Sequence, residues 1–154
     1  MAVDPGACPC GSGQRYRACC RPFHDGAEPP DPVALMRSRF SAFAVGEAGY
    51  VWRTLHPEHP DRARGERDFV SSVRKARQAM RYVRLRVLDH GESEVLFHAE
   101  IYERGKERSF VELSRFERDP QAGGAWRYRS GQLRAMRAGD PALEGMTLRS
   151  FPSG

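Results

Sequence analysis

The chain has 154 residues, 40% of them hydrophobic, with 8 Phe, 5 Tyr and 2 Trp. This is the make-up of one ordinary folded domain with a small appendage rather than a disordered chain. No apolar run approaches the roughly 20 residues a membrane span needs, and the formal net charge is +5, from 25 basic and 20 acidic residues. Such a charge favours weak association with acidic partners without establishing nucleic-acid binding.

In chain order, the N-terminus MAVDPGACPC carries neither a basic n-region nor an apolar h-region, so no secretion signal is expected and the protein reads as cytoplasmic. All four cysteines, Cys8, Cys10, Cys19 and Cys20, fall within CPCGSGQRYRACC. Adjacent cysteines bridge each other only with strain, and a disulfide framework needs an oxidising compartment. Four thiolates this close are better explained by one tetrahedral metal site, and soft sulfur ligands select Zn2+ in a closed, structural role. Gly11 and Gly13 supply the positive φ needed to double the chain back. His24 is an alternative to Cys20 as fourth ligand. Residues 1–26 thus form a zinc-binding knuckle with no core of its own.

Residues 27–32, AEPPDP, read as a linker between two folding units. Asp31 is an N-cap with Pro32 at the first helical position, and Val33, Met36, Phe40, Phe43 and Ala44 follow at helical spacing until Gly46. A short helix is expected over 47–55 and ends at His56-Pro57. EHPDRARGE reads as a mobile loop, and a third helix is expected over 67–80. From residue 82 the period changes to two. Strands are expected around Val83–Val87, Val95–Tyr102 and Glu107–Arg118, with a last one through Trp126 and Tyr128. Helices followed by an antiparallel meander indicate an α+β domain over 33–137, with the helices packed on one face of a curved sheet. Residues 138–154 read as an irregular C-terminal extension.

CPCGSGQRYRACC resembles the SEC-C zinc motif, the metal-binding segment found at the C-terminus of the SecA preprotein translocase, although the last ligand there is often His. ALMRSRFSAFAVGEAGYVWRTLHP, residues 34–57, resembles the YchJ-like family of bacterial proteins, and VELSRFERD and AWRYRSGQ resemble that family's last two strands. The resemblance implies a SEC-C knuckle followed by a cone of the nuclear-transport-factor-2-like fold. It also implies a protein or ribosome contact through the knuckle, rather than catalysis.

The first functional reading is therefore a non-enzymatic, zinc-stabilised adaptor, with Arg15, Tyr16, Arg17 and Arg21 forming the knuckle's exposed contact surface. The alternative is a small-molecule-binding protein or an isomerase- or dehydratase-like enzyme using the cone. Arg37, Tyr50 and His56 are the candidate cavity residues, and Arg39, His98, Glu100, Glu112 and Arg115 are further acid, base or charge candidates. No Asp-His pair or nucleophile motif is present, so no catalytic residue is assigned. A third reading is an RNA-associated factor using Arg77, Arg81, Tyr82, Arg84 and Arg86, with Tyr82 on the arginine face. Phe40, Phe43, Phe69 and Val73 are expected to cover Val83, Leu85, Phe97 and Ile101 in a filled core.

Overall fold

The structure is a computed structural model that describes residues 6–151. Residues 1–5, part of the N-terminus read above as leaderless, and residues 152–154 of the tail lie outside the described residues. Asp31 caps α2 (Pro32–Val45) by accepting from the Ala34 amide at 2.8 Å, and Gly46 closes it at φ 89°, as the sequence dictates. Helices α3 (Ala48–Arg53) and α4 (Glu66–Ala79) follow, after a four-residue α1 (Arg21–His24) in the knuckle.

The strands are β1 (Met80–His90), β2 (Glu94–Glu103), β3 (Lys106–Glu107), β4 (Phe110–Asp119) and β5 (Ala125–Ala135). They form one antiparallel sheet in the order β1-β2-β4-β5, with the short β3 paired to β2. The α+β domain expected from the change of period is present, in the cone form that the resemblance implies. Register shifts between Tyr82 and Arg84, Val87 and Asp89, and Arg115 and Phe116 bend the sheet, since each bulge adds twist and curvature.

The first bulge corrects the strand reading. Tyr82 turns inward, edge-on to Phe40 and stacked near Phe43 with ring centroids 6.0 Å away in both cases, while Val83 is left 43% exposed. One extra residue moves every side chain before it to the opposite face. Tyr82 is therefore not on the arginine face, and Val83 is not in the core.

The segment 58–65 is not an open loop. Pro60–Arg64 forms a 3-10 turn, and the Arg62 guanidinium lies 4.4 Å from the Trp52 ring while donating to the Leu55 carbonyl at 2.7 Å. The tail is irregular but not idle. Phe151 closes a second apolar cluster with Leu96 and Val111 on the outer sheet face, joined by Met146 and Leu148.

Nor is 27–32 a free tether. Arg127, 5% exposed, donates through both terminal nitrogens to Glu28 at 2.8 and 3.0 Å, a two-point charged clamp. Among the described residues no helix is long and apolar enough to cross a membrane.

Candidate metal centre and cone cavity

A small antiparallel loop builds the cysteine cluster. Cys8 N–H donates to the Gln14 carbonyl at 2.8 Å, Ala7 pairs with Arg15, and Gly11 and Gly13 turn at φ 81° and 84°. The four Sγ atoms of Cys8, Cys10, Cys19 and Cys20 lie within 4.8 Å of one another, with Cys10–Cys19 at 3.6 Å and Cys19–Cys20 at 4.0 Å. Tetrahedral ligands at a zinc–sulfur distance of about 2.3 Å lie about 3.8 Å apart, so the cluster fits one metal ion. Hydrogen bonding from the Cys20 thiol, then from Cys8, pushes Cys10 far below the ordinary thiol range. Cys10 itself raises Cys8, to about 12, and Cys20. Cys10 is thus the most readily ionised of these three sulfurs.

His24 is not a ligand. Its Nε2 donates to the Ser38 carbonyl at 2.8 Å, so Nδ1 accepts from the Tyr16 hydroxyl at 2.6 Å. Burial holds its pKa below the usual value and keeps the ring neutral. Tyr16 is itself only 3% exposed, so it supports the cluster from within rather than belonging to an outer surface. Arg15, Arg17 and Arg21 are exposed, with Arg21 3.4 Å from Asp25.

The knuckle is clamped to α2 and α3. Arg37 donates to the Cys10 carbonyl at 2.8 Å, Arg53 to the Phe23 carbonyl at 2.8 Å, and Val45 packs on the sulfurs. Arg37 therefore points to the cysteine cluster and not into the cone. Tyr50 is buried between Ser38, whose hydroxyl lies 2.7 Å away, and the His24 ring at 4.7 Å. His56 accepts from the Glu58 amide at 3.1 Å and closes the turn after α3, a capping role. None of these three expected cavity residues reaches the cavity.

The cavity nevertheless exists, and the expectation of a filled core is overturned. About 490 Å³ remains open between α2, α4 and the inner sheet face, walled by Phe40, Phe43, Phe69, Phe97 and Phe110, with Leu133 (56% exposed) among its outer lining. The curved sheet carries small inner residues, Ala99 and Ser114, so the aromatics line the space without filling it.

Its inner polar part comes from α2, β4, β5 and the 58–65 segment. Arg39 of α2, 5% exposed, lies 4.5 Å above the Tyr128 ring and donates through Nη1 to the Val51 carbonyl at 3.0 Å and the Thr54 hydroxyl at 2.6 Å. Glu112 of β4 accepts from the Ser114 hydroxyl at 2.5 Å and from the Tyr128 hydroxyl of β5 at 2.7 Å. Burial pushes the Glu112 carboxyl above its usual range despite these bonds, and raises Tyr128 as well. The His59 ring lies tilted against Tyr128 with centroids 5.5 Å apart, and its Nδ1 lies 3.9 Å from Asp61.

Of the sequence candidates, only Arg39 and Glu112 meet here. The inward alternation of Phe110, Glu112, Ser114 and Phe116 makes Glu112 legible. Tyr128 is not, because the bulge opposite Arg115 reverses the parity of β5. His98 is buried on the outer face and meets the Met136 carbonyl at 2.8 Å under the tail, Arg115 is exposed, and Glu100 accepts from Tyr102 at 2.8 Å.

The arginine stretch is dispersed. Arg77 caps the end of α2 through the Ala44 carbonyl, Arg81 lies 5.7 Å from the Tyr102 ring, and Arg86 lies 3.5 Å from Glu144. Arg84 is exposed, in register with Glu100.

Residues 31–131 match the family model "YchJ, middle NTF2-like domain" and residues 7–22 match the SEC-C motif. A UPF0225 protein of Deinococcus radiodurans is 40% identical over 123 residues, covering 79% of this chain and 85% of its own length. A UPF0225 protein of Streptomyces coelicolor is 40% identical over 134 residues, covering 82% and 94%. The solution structure of a SEC-C motif containing protein from Rhodopseudomonas palustris superposes with a TM-score of 0.67 at 31% identity, over 81% of this chain and 96% of that one. The crystal structure of a SEC-C motif containing protein from Psychrobacter arcticus shares the fold, with a TM-score of 0.68 at 21% identity, over 88% and 86%. The expected kinship is thereby established: the chain belongs to the YchJ-like UPF0225 family, a SEC-C motif joined to an NTF2-like domain.

Proposed function

We propose that this chain is a small-molecule-binding protein whose ligand occupies the cone and whose knuckle is a structural zinc centre. The observation that carries the reading is the cavity of about 490 Å³ with aromatic walls and a buried Arg39–Tyr128–Glu112 cluster. A concave apolar space with a few convergent polar groups is the usual form of a ligand site. The metal centre supports the cone rather than competing with it, because its Tyr16 and Cys10 carbonyl are spent on internal contacts. Four thiolates with no open coordination position suit Zn2+ in a structural role, and a reducing compartment such as the cytoplasm keeps them available.

A fragment library of small apolar molecules with one polar group, screened by NMR on the full zinc-loaded chain, tests the reading without the ligand's identity. Hits should shift the Met36 and Val51 methyl signals, which border the cavity. Hits confined to the outer sheet face or the knuckle overturn the reading.

The exposure of Arg15 and Arg17 on the knuckle favours a second reading, an adaptor contact to an acidic protein or ribosomal surface. Replacing both with Ser should then abolish retention of ribosomes or acidic proteins while leaving metal content unchanged. Unaltered retention removes this reading.

A further inference from the structure

We infer that the cone selects a monocarboxylate with an apolar, ring-sized body, its carboxylate seated on the free edge of Arg39. This rests on the cavity reading above and names its ligand class.

Arg39 enters the space from α2 almost fully buried, yet only Nη1 is engaged, by Val51 and Thr54. Both of its hydrogen bonds use Nη1, and among the described residues the only sealed side-chain nitrogen without a partner is Arg62 Nε, so Nε and Nη2 of Arg39 stay open to the cavity it lines, with no carboxylate paired to them. Arginine's planar fork offers two parallel N–H groups on such an edge, the match for a carboxylate. A buried cation without a contacting anion is costly, so a ligand that brings the anion gains more here than at a solvated site.

The groups facing Arg39 permit this. The Tyr128 ring covers one side of the guanidinium, and its hydroxyl is committed to Glu112 Oε2, as is the Ser114 hydroxyl. Burial raises the Glu112 carboxyl above its ordinary value, which weakens it as a rival anion for Arg39. Asp61, the other acid lining the space, is 43% exposed and lies beside His59.

Two more arginines line the cavity farther out and are the competing anchors. Arg108 is 57% exposed and paired with Glu103 at 3.3 Å. Arg64 is exposed, above the Phe69 ring at 5.7 Å. Solvated, screened cations of this kind hold an anion weakly. The five phenylalanine walls set the body of the ligand, since aromatic faces pack an aryl or compact aliphatic group.

The test uses the full zinc-loaded chain at pH 7 and three probes of matched length, 3-phenylpropionate, its isostere 3-phenylpropionamide and the cationic 3-phenylpropylamine, titrated against the Met36 and Val51 methyl signals. The carboxylate should bind at least about tenfold more tightly than the amide, about one charge-assisted hydrogen bond's worth, and the amine should not bind. Arg39→Lys, which keeps the charge but loses the fork, should bring acid and amide within about threefold of each other. Arg108→Gln, a surface change that leaves the fold intact, should preserve the preference.

Equal affinities of acid and amide in the unmutated protein overturn the inference while leaving the cavity reading standing. So does a preference that survives Arg39→Lys or vanishes in Arg108→Gln. If no probe moves the cavity signals, the cavity reading itself fails.

Discussion

Gly131 gives the sharpest handle on the polar floor of the cone. A Cβ built there would collide with Glu112 Oε2 and the Tyr128 hydroxyl, well inside van der Waals contact. Its φ lies outside the left-handed region, so the backbone itself would accept alanine. Glu112 and Tyr128 cannot simply yield, because they hold each other at 2.7 Å and Glu112 is 6% exposed. Overpacking of this kind costs about 1–3 kcal/mol, and displacing the phenol from the carboxyl forfeits about 1 kcal/mol more. Gly131→Ala should therefore destabilise by about 2–4 kcal/mol, and at this chain length each kcal/mol lowers Tm by about 2–4 °C. Gly49 in α3 is the matched control, with nothing within 4 Å of its virtual Cβ and no positive φ. Gly49→Ala should stabilise by about 0.4–1 kcal/mol through the unfolded chain. Denaturant unfolding of both variants by circular dichroism decides the matter. Two variants that shift in the same direction and to the same extent would refute the placement of Glu112 and Tyr128 around Gly131.

Other consequences are equally open to measurement. Metal analysis of purified protein should return one zinc per chain, and Cys10→Ser should lower both zinc content and amide protection at Ser38 and Val45, since the knuckle is bonded to α2; undisturbed protection there contradicts that coupling. Glu112 has a folded-state pKa raised by burial above the usual 4.5, so folding holds its proton more tightly than the unfolded chain does and stability falls as pH rises through that interval. The Tm advantage of Glu112→Gln over the unmutated chain should accordingly grow as pH climbs from 4 to 7, whereas a shrinking advantage would mean that Arg39 holds the carboxylate charged. Phe151→Ala should cost about 3 kcal/mol in denaturant unfolding, because the ring closes the cluster on Leu96 and Val111; a change near zero would show that the tail does not cover the sheet.

Local chemistry was legible in the sequence wherever a short stretch decides the outcome. Cys8, Cys10, Cys19 and Cys20 with Gly11 and Gly13 announce the cluster, and Asp31-Pro32 and Gly46 bracket α2. What escaped depends on register and curvature. A bulge at Tyr82–Arg84 turns Tyr82 into the cavity and Val83 out of it, and nothing in the alternation of residues 82–87 marks that slip. The bulge in β5 likewise hides the partnership of Tyr128 with Glu112. Helix α2 is buried on several sides at once, so Ser38, Arg39 and Ser41 lie inside despite their polarity, each held by a carbonyl or hydroxyl. Arg37 has the hydrophobic-edge position of a cavity residue, yet the docked knuckle claims it. That docking is long-range, between residues 27 apart, and no local pattern reports it.

Whether the hollow of the cone seats a carboxylate on Arg39 is read out by a crystal structure of the full chain grown with 3-phenylpropionate. The phenyl ring should lie among Phe40, Phe69 and Phe97, with a carboxylate oxygen within about 3 Å of Arg39 Nε or Nη2. Density for the acid outside the cone, or a carboxylate turned outward to Arg64 or Arg108, would contradict it.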